Sequence, residues 1–312
     1  MFNYLTAHAY RYESRATPGS CGPVVHFRMS MVKIMPIYVF AADVDHTVVL
    51  PDRYDTIATA QEGIDMLREA EIRPSFCTGQ SVQHCTALLR HLCVDLPCGF
   101  EHGAIILHPD GRKEFLHDVY PSLGVDGSFD ALRNWGDAVR ERYEELRQRA
   151  GEIGVDDIRI LDDKETMVSL LFDPAPGRSG AIYRLMHDYF MDAAMQGRIR
   201  ERRVFTRRPP YAVDFTLPVG KGHFLDHILH RVVPCNPSYA AVAGDSSHTD
   251  IEMFDRVYPH GHAFCPADAD DATTAYVRSF RSGYVSPRTC GEGAFVDICR
   301  RAAAISASGR KV

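Results

Sequence analysis

The chain has 312 residues, which exceeds the usual length of one domain, so two domains or one large domain with an insertion are expected. Its 45% hydrophobic and 24% charged residues exclude a disordered chain, and a formal net charge of -6 gives no sign of a nucleic-acid partner. The nine cysteines form no Cys-x-x-Cys pair, which argues against a disulfide framework or a thiolate zinc site and favours the reducing cytoplasm. No apolar stretch approaches the roughly 18–20 residues that cross a bilayer, so no membrane partner is expected.

Residues 1–36 are predicted to form a flexible N-terminal extension, because they have neither the apolar segment of a secretory signal nor a clear period. From Ile37 onwards short apolar runs alternate with helical spacing, which predicts a parallel sheet with right-handed crossovers. The expected elements are strand Ile37–Ala42, helix Thr56–Ala70, strand Ile72–Cys77, helix Ser81–Leu92 and an apolar run over Gly99–Leu107.

The middle of the chain, at 109–212, has a different pattern that predicts an inserted α+β domain with antiparallel strands. Its expected elements are helix Phe129–Arg149, strand Met167–Phe172, helix Ala181–Met195 and strands Arg202–Thr206 and Ala212–Leu217. The alternation then resumes with strands Tyr239–Ala243 and Ala263–Pro266 and helices Gly222–Arg231, Asp250–Arg256, Ala269–Phe280 and Gly293–Ala304. We therefore expect an α/β core domain formed by 37–108 and 213–312, with the inserted domain between its two parts.

Polar residues follow the predicted core strands at the edge where ligands of open α/β sheets bind. They are Asp43 and Asp45, Thr78 and Gly79, Glu101 and His102, Lys221, and Asp245, Ser246 and Asp250. The four aspartates at this edge need a counter-charge, and Mg²⁺ is the natural cation for oxygen ligands. Since residues two apart in an extended segment point the same way, Asp43 and Asp45 can face one site. Lys221 and Thr78, which precede helices, are suited to hold phosphate oxygens.

These blocks, in this order, resemble the motifs of the haloacid dehalogenase superfamily of phosphohydrolases. The superfamily has an apolar strand followed by Asp-x-Asp-x-Thr, a strand ending in Thr or Ser, a Lys, and Gly-Asp with a second Asp four or five residues on. The matching residues are Asp43, Asp45 and Thr47, then Thr78, then Lys221, then Asp245 and Asp250. The resemblance covers most of 37–300. It implies a Rossmann-like core, and the insertion is similar to the C2-type cap of this superfamily.

Two details are similar to phosphatases of disaccharide phosphates. Asp-Val-Asp-His-Thr at 43–47 resembles sucrose-phosphate phosphatases, whereas Glu-His-Gly-Ala at 101–104 and Thr249-Asp250 resemble trehalose-phosphate phosphatases. Cof-type sugar phosphatases are a further similar group. The spacing between Asp245 and Asp250 is one residue longer than in the commonest members with a C2 cap, which leaves open which of the two binds metal directly.

The resemblance implies a Mg²⁺-dependent phosphatase that acts on a sugar or disaccharide phosphate. Asp43 would attack phosphorus to form an aspartyl-phosphate, and Asp45 would carry the proton. Mg²⁺ would be bound by the side chains of Asp43 and Asp245 and by the backbone carbonyl of Asp45. Asp250 would be a direct or water-mediated ligand. The phosphate group would be bound by Thr78, Gly79 and Lys221.

Several alternatives stay open. A phosphomutase uses the same intermediate, and a non-catalytic sugar-phosphate binding protein would keep only the fold. His46, His102 and Ser246 are candidate substrate contacts, although both histidines are equally compatible with loop packing, and Asp250 is compatible with a helix cap. The arginines of the insertion are more consistent with a solvated face than with a substrate contact; they are Arg198, Arg200, Arg202, Arg203, Arg207 and Arg208. The sequence predicts no oligomeric state.

Overall fold

Strands and helices alternate along most of the chain. The computed structural model describes residues 35–51, 57–92, 94–123, 128–155, 157–173, 178–190, 200–204 and 211–309. In chain order the elements are β1 (Val39–Ala42), α1 (Ile57–Glu69), β2 (Arg73–Phe76), α2 (Val82–His91), β3 (Cys98–Phe100), β4 (Ile105–Leu107), β5 (Lys113–Phe115), α3 (Leu116–Val119), α4 (Ser128–Glu141), α5 (Tyr143–Glu152), β6 (Asp157–Ile160), β7 (Met167–Asp173), α6 (Ser179–Tyr189), β8 (Arg200–Val204), β9 (Tyr211–Thr216), α7 (Lys221–His227), β10 (Ala240–Ala243), α8 (Ile251–Val257), β11 (His262–Cys265), α9 (Asp271–Ser279), β12 (Ser282–Val285) and α10 (Ala294–Gly309).

A five-stranded parallel sheet forms the centre of the α/β core, in the order β12-β11-β10-β1-β2. β1 and β10 are buried along their whole length. Alternate residues of β1 point to opposite faces of the sheet. Phe40 packs in one apolar cluster with residues of α1 and α10, whereas Ala41 packs in a second cluster with residues of α7 and α8. Helices on both faces explain why the sequence of β1 is a continuous apolar run.

The middle of the chain forms a separate four-stranded antiparallel sheet in the order β6-β7-β9-β8. Apolar residues of its helices, among them Leu132 and Trp135 of α4, pack with Phe172 and Phe215 of this sheet. A small antiparallel sheet, β3-β4-β5, precedes it. The predicted combination of an α/β core with an inserted α+β segment is thus confirmed, whereas the exact domain limits at 109 and 212 stay a prediction.

Some predicted elements differ from the structure. The helix expected over 129–149 is divided at Arg142, whose φ of -102° and ψ of 25° are not helical, into α4 and α5. This break allows Val139 of α4 and Leu146 of α5 to reach the same apolar cluster. The edge strands β5, β6 and β12 were not predicted, since they are three or four residues long and carry polar or glycine residues that interrupt the apolar pattern.

Parts of other predictions fall on positions that the structure does not describe. These are the extension before residue 35, the last part of the helix predicted over 181–195, the end of the strand predicted over 202–206, and Arg198, Arg207 and Arg208. Within the described ranges, no helix is both long enough and apolar enough to cross a membrane.

α7 and α8 lie unusually close together where the core helices meet the edge of the sheet. A Cβ atom added to Gly222, the second residue of α7, would lie 2.7 Å from the backbone carbonyl oxygen of Glu252 in α8. No ordinary contact between a Cβ and a backbone atom is that short. Glycine at 222 therefore sets the distance between the two helices, and with it the distance between Lys221 and Asp250 at their N-terminal ends.

We expect Gly222→Ala to destabilise the fold by about 1–3 kcal/mol, because the added methyl group has to push α7 and α8 apart. Gly151→Ala is the matched control, since Gly151 lies in α5 with open space where the methyl group would stand. Removing a helical glycine there should stabilise the chain by roughly 0.5–1 kcal/mol. Urea unfolding followed by circular dichroism measures both. Equal midpoints for the two variants would show that the close approach does not constrain the helices.

Candidate active site

The carboxyl ends of β1 and β10 bring two carboxylates together. Asp43 directly follows β1, and its amide donates to the carbonyl oxygen of Ala243 at the end of β10 over 3.0 Å. Asp245 follows β10 after one glycine, and its Oδ1 accepts a hydrogen bond from the hydroxyl of Thr47 at 3.1 Å. The parallel pairing of the two strands thus places residues that are about 200 positions apart in one site.

Lys221, the first residue of α7, connects two buried carboxylates. Its Nζ donates to Asp43 Oδ1 at 2.6 Å and to Asp250 Oδ1 at 2.7 Å. The lysine side chain is only 2% exposed and that of Asp250 is fully buried. Burial disfavours the ammonium, but the charges of Asp250 and Asp43 outweigh it and raise the pKa of Lys221. The lysine therefore stays positively charged in the folded protein.

Asp250 uses both of its oxygens for contacts within the protein. Its Oδ1 accepts hydrogen bonds from Lys221 and from the hydroxyl of Thr249, the latter at 3.1 Å. Its Oδ2 accepts hydrogen bonds from the backbone amides of Asp245 and Ser246, each at 3.0 Å. Its side chain makes no capping hydrogen bond to α8, so the cap that the sequence left as an alternative is not observed. With its oxygens occupied in this way, Asp250 holds the lysine and the loop that carries Asp245.

Gly244 allows this arrangement. A Cβ at this position would lie 2.6 Å from the carboxyl carbon of Asp250, so a side chain there would displace the carboxylate from the backbone amides it accepts from. The glycine of the Gly-Asp motif is thus explained by the close packing of the Asp250 carboxylate against the backbone.

The three carboxylates fit a hard divalent cation. Asp43, Asp245 and Asp250 each offer an oxygen within 4.8 Å of the other two. Burial raises the pKa of Asp43 to about 7, although Lys221 acts against it, and burial raises the pKa of Asp245 well above its usual range. One lysine does not balance this group of acids. Among the described residues, Oδ2 of Asp43 and Oδ2 of Asp245 accept no protein hydrogen bond, which leaves them for a metal such as Mg²⁺.

The turn that follows β2, here called the Thr78–Gln80 turn, forms the opposite side of the site. Thr78 is fully buried, and its hydroxyl oxygen accepts from the amide of Gln80 at 3.1 Å. Gln80 in turn donates from Nε2 to Asp45 Oδ2 at 2.8 Å. A Cβ at Gly79 would lie 2.7 Å from Cε1 of His102, so only glycine fits in this turn.

The contact between Gln80 and Asp45 was not predicted from the sequence. The available signal was its position two residues after Thr78, at the end of a core strand. Lys164 was also missed: it lies in the loop between β6 and β7, and its Nζ donates to the carbonyl oxygen of Gly79 at 2.9 Å. A lysine in a loop of the insertion gives no sequence signal of this kind.

The three candidate substrate contacts lie in different surroundings. His46 is half-buried with a left-handed φ of 57°, and Ser246 is half-buried beside Asp250. His102 is buried, and its Nε2 lies 2.9 Å from Oδ2 of Asp214, which is on β9. A role in substrate binding stays a prediction for all three residues.

Comparisons with known proteins identify the fold. A scan against models of protein families and a search of curated proteins gave no match. Among solved structures, the chain is similar to a Thermoplasma acidophilum protein, with a TM-score of 0.58 and 17% sequence identity over 87% of this chain and 100% of that one. It is similar to a haloacid dehalogenase-like hydrolase from Bacteroides thetaiotaomicron, with a TM-score of 0.55 and 13% identity over 85% of this chain and 99% of that one. It is also similar to the sucrose-phosphatase of Synechocystis in complex with sucrose and phosphate, with a TM-score of 0.52 and 16% identity over 83% of this chain and 95% of that one.

These similarities extend over more than four fifths of the chain, so they include both the parallel core sheet and the inserted antiparallel sheet. The chain has the fold of the haloacid dehalogenase-like hydrolases. The resemblance stated from the sequence motifs is confirmed at the level of the fold.

We expect Mg²⁺ to raise the melting temperature of the protein, and to raise it more at pH 8 than at pH 5.5. Metal binding needs ionised carboxylates, and the pKa of Asp43 of about 7 means that this group is mostly protonated at the lower pH. Thermal unfolding with EDTA or with Mg²⁺ at both pH values measures the effect.

Asp245→Asn should remove most of the Mg²⁺ effect, because the metal loses one of its two carboxylates with a free oxygen. The control is Asp65→Asn, since Asp65 is an exposed acid on α1. A shift of equal size in both variants would place the metal elsewhere on the chain.

Proposed function

We propose that the chain is a Mg²⁺-dependent phosphatase that hydrolyses a sugar or disaccharide phosphate through an aspartyl-phosphate intermediate. The observation that carries this proposal is the pair Asp43 and Asp45. Asp43 is buried, and its Oδ1 lies 2.6 Å from Nζ of Lys221, a cation that could also contact a phosphate group. Asp45 is half-buried, and its Oδ2 accepts a hydrogen bond from Nε2 of Gln80 at 2.8 Å. One carboxylate is fixed beside a cation and the other is accessible for proton transfer.

Each step of the reaction assigns a defined task to these residues. The carboxylate of Asp43 attacks phosphorus, the bond between phosphorus and the sugar oxygen breaks, and Asp45 donates its proton to that oxygen. Asp45 then takes a proton from the water that attacks the aspartyl-phosphate, which releases inorganic phosphate and restores Asp43. Because Gln80 occupies Oδ2 of Asp45, Oδ1 is the atom that carries the proton.

Lys221 and the Thr78–Gln80 turn would bind the phosphate oxygens. The charge of Lys221 and its contact with Asp43 support a role in neutralising the phosphoryl group that Asp43 would attack. Mg²⁺ would be held by Asp43, Asp245 and the backbone carbonyl of Asp45, and when bound it supplies positive charge for the transferring phosphoryl group. Asp250 would hold these ligands in position, because it accepts hydrogen bonds from Lys221 and from the backbone amide of Asp245.

The sugar assignment has two sources of support. The sequence of 43–47 and 101–104 is similar to that of disaccharide-phosphate phosphatases, and one of the similar structures is a sucrose-phosphatase solved with sucrose and phosphate. His46 and Ser246, which lie next to Asp45 and Asp245, are the proposed contacts of the sugar. Asp45 with its Gln80 contact favours hydrolysis over a binding protein, since a protein that only binds needs no proton carrier.

A phosphate-release panel tests the proposal directly. Purified protein is incubated with mono- and disaccharide phosphates, nucleotides and para-nitrophenyl phosphate, with Mg²⁺ or with EDTA. We expect phosphate release from sugar phosphates that is lost with EDTA, and a loss of more than about 1,000-fold in Asp43→Asn, because this variant lacks the nucleophile. Interconversion of sugar-phosphate isomers without phosphate release would instead identify a phosphomutase, and binding without turnover would identify a binding protein.

Asp45→Asn is expected to lower kcat by roughly 100- to 10,000-fold, because both half-reactions lose their acid–base group. The asparagine keeps the shape of the side chain and its oxygen still accepts from Gln80, so the fold and phosphate binding should persist. Mass spectrometry of acid-quenched samples should detect a phosphorylated protein, since hydrolysis of the aspartyl-phosphate is slowed. A rate equal to that of the wild type would show that another group transfers the proton.

A further inference from the structure

Three consecutive residues between β3 and β4 have a left-handed backbone. The φ angles of Glu101, His102 and Gly103 are 49°, 59° and 90°. For residues with a side chain this conformation costs on the order of 1 kcal/mol each, so surrounding contacts have to hold it. We call this segment the Glu101–Gly103 corner.

On one side, the corner holds the Thr78–Gln80 turn. The amide of His102 donates to the carbonyl oxygen of Thr78 at 2.9 Å, and the amide of Glu101 donates to that of Gln80 at 3.0 Å. The imidazole of His102 also fills the space beside Gly79, where no Cβ would fit. Every residue of the turn is therefore in contact with the corner.

On the other side, the side chains of the corner bind the inserted α+β segment. The carboxylate of Glu101 accepts hydrogen bonds from the amides of Glu165 and Thr166 and from the hydroxyl of Thr166, at 2.6 to 3.1 Å. Both donors belong to the loop that enters β7. The short distances and the number of donors fix the orientation of the carboxylate.

His102 makes the second connection to the insertion. Its Nε2 lies 2.9 Å from Asp214 Oδ2 on β9, and Asp214 Oδ1 accepts from the hydroxyl of Ser169 on β7 at 2.6 Å. His102, Asp214 and Ser169 are 2%, 4% and 1% exposed. Apolar side chains would fill such a buried space with less desolvation, so the polar network is better explained by the specific geometry that it imposes than by stability.

Resting on the function proposed above, we infer that Glu101 and His102 are positioning residues that couple the four-stranded sheet of the insertion to the Thr78–Gln80 turn and, through Gln80, to Asp45. The connection is continuous: Asp214 and Thr166 hold the corner, the corner holds the turn, and Gln80 of the turn holds the proton carrier at 2.8 Å. His102 thus acts on the reaction through the turn and Gln80. Asp45 is correctly oriented only while the insertion is seated on the corner.

The test uses His102→Asn, because asparagine tolerates a left-handed backbone but is too short to reach Asp214. Thr166→Val is a second variant, which removes one donor to Glu101 and keeps the shape. With para-nitrophenyl phosphate and with a sugar phosphate hydrolysed in the panel, we expect kcat to fall by about 5- to 50-fold in His102→Asn and in the same direction in Thr166→Val. KM should rise by a smaller factor than kcat falls, since Lys221 and its contacts with Asp43 and Asp250 are not altered by either substitution.

Hydrogen–deuterium exchange without substrate supplies a readout that does not depend on activity. Peptides that cover 78–92 should exchange faster in both variants, while peptides that cover 57–69 in α1 keep the rate of the wild type. If the wild type released no phosphate, the proposed function would fail while the exchange data would still decide whether the corner couples the insertion to the turn.

Two further variants separate coupling from general stability. Tyr143→Phe removes a hydrogen bond from Tyr143 to the carbonyl oxygen of Ile158 in the same four-stranded sheet, at 2.7 Å, and should change neither kcat nor exchange at 78–92. Asp214→Asn keeps an oxygen for His102 and a polar group for Ser169, so it should retain most of kcat. Faster exchange across the whole chain, unchanged exchange at 78–92, or an effect of Tyr143→Phe equal to that of His102→Asn would overturn the inference.

Discussion

The contact between the Lys221 ammonium and the carboxylates of Asp43 and Asp250 is the interaction on which the site depends. A buried cation is costly unless it is paired, and here it is paired twice, at 2.6 and 2.7 Å. Among the described residues no cation pairs with Asp245, and burial raises the pKa of that carboxyl well above its usual range. Without a further cation the ionised form of these acids is therefore unfavourable, and the proposed divalent metal would offset that cost.

The architecture of the core follows from the need to bring these groups together. β1 and β10 are neighbours in the sheet, so Asp43 and Asp245 emerge side by side, and the close approach of α7 to α8 at Gly222 sets Lys221 against Asp250. Each of these contacts joins residues that are far apart along the chain. The apolar sheet is closely packed and therefore rigid, and that rigidity allows charged side chains to be buried at its edge.

The sequence predicted the part of this structure that local patterns determine. Apolar runs and helical spacing located the core elements, and the order of Asp43, Thr78, Lys221 and Asp245 at successive strand ends indicated the site. The break at Arg142 was missed, because a helix divided by packing keeps the charged composition of a continuous helix. The contacts of the Glu101–Gly103 corner with the insertion were also missed, since they join residues 64 to 112 positions apart and depend on how two sheets pack on one another.

The same corner connects the insertion to the candidate site. β3 leads into the corner and β4 leads away towards the insertion, and Glu101 and His102 both contact the insertion, as does Gly79 of the turn through Lys164. The corner donates hydrogen bonds to the Thr78–Gln80 turn, and Gln80 of that turn donates a hydrogen bond to Asp45. Asp43, held by Lys221, has no described contact of this kind. Lys221 and the core sheet thus hold Asp43, the proposed nucleophile, whereas Gln80 links Asp45, the proposed proton carrier, to the turn that the insertion contacts.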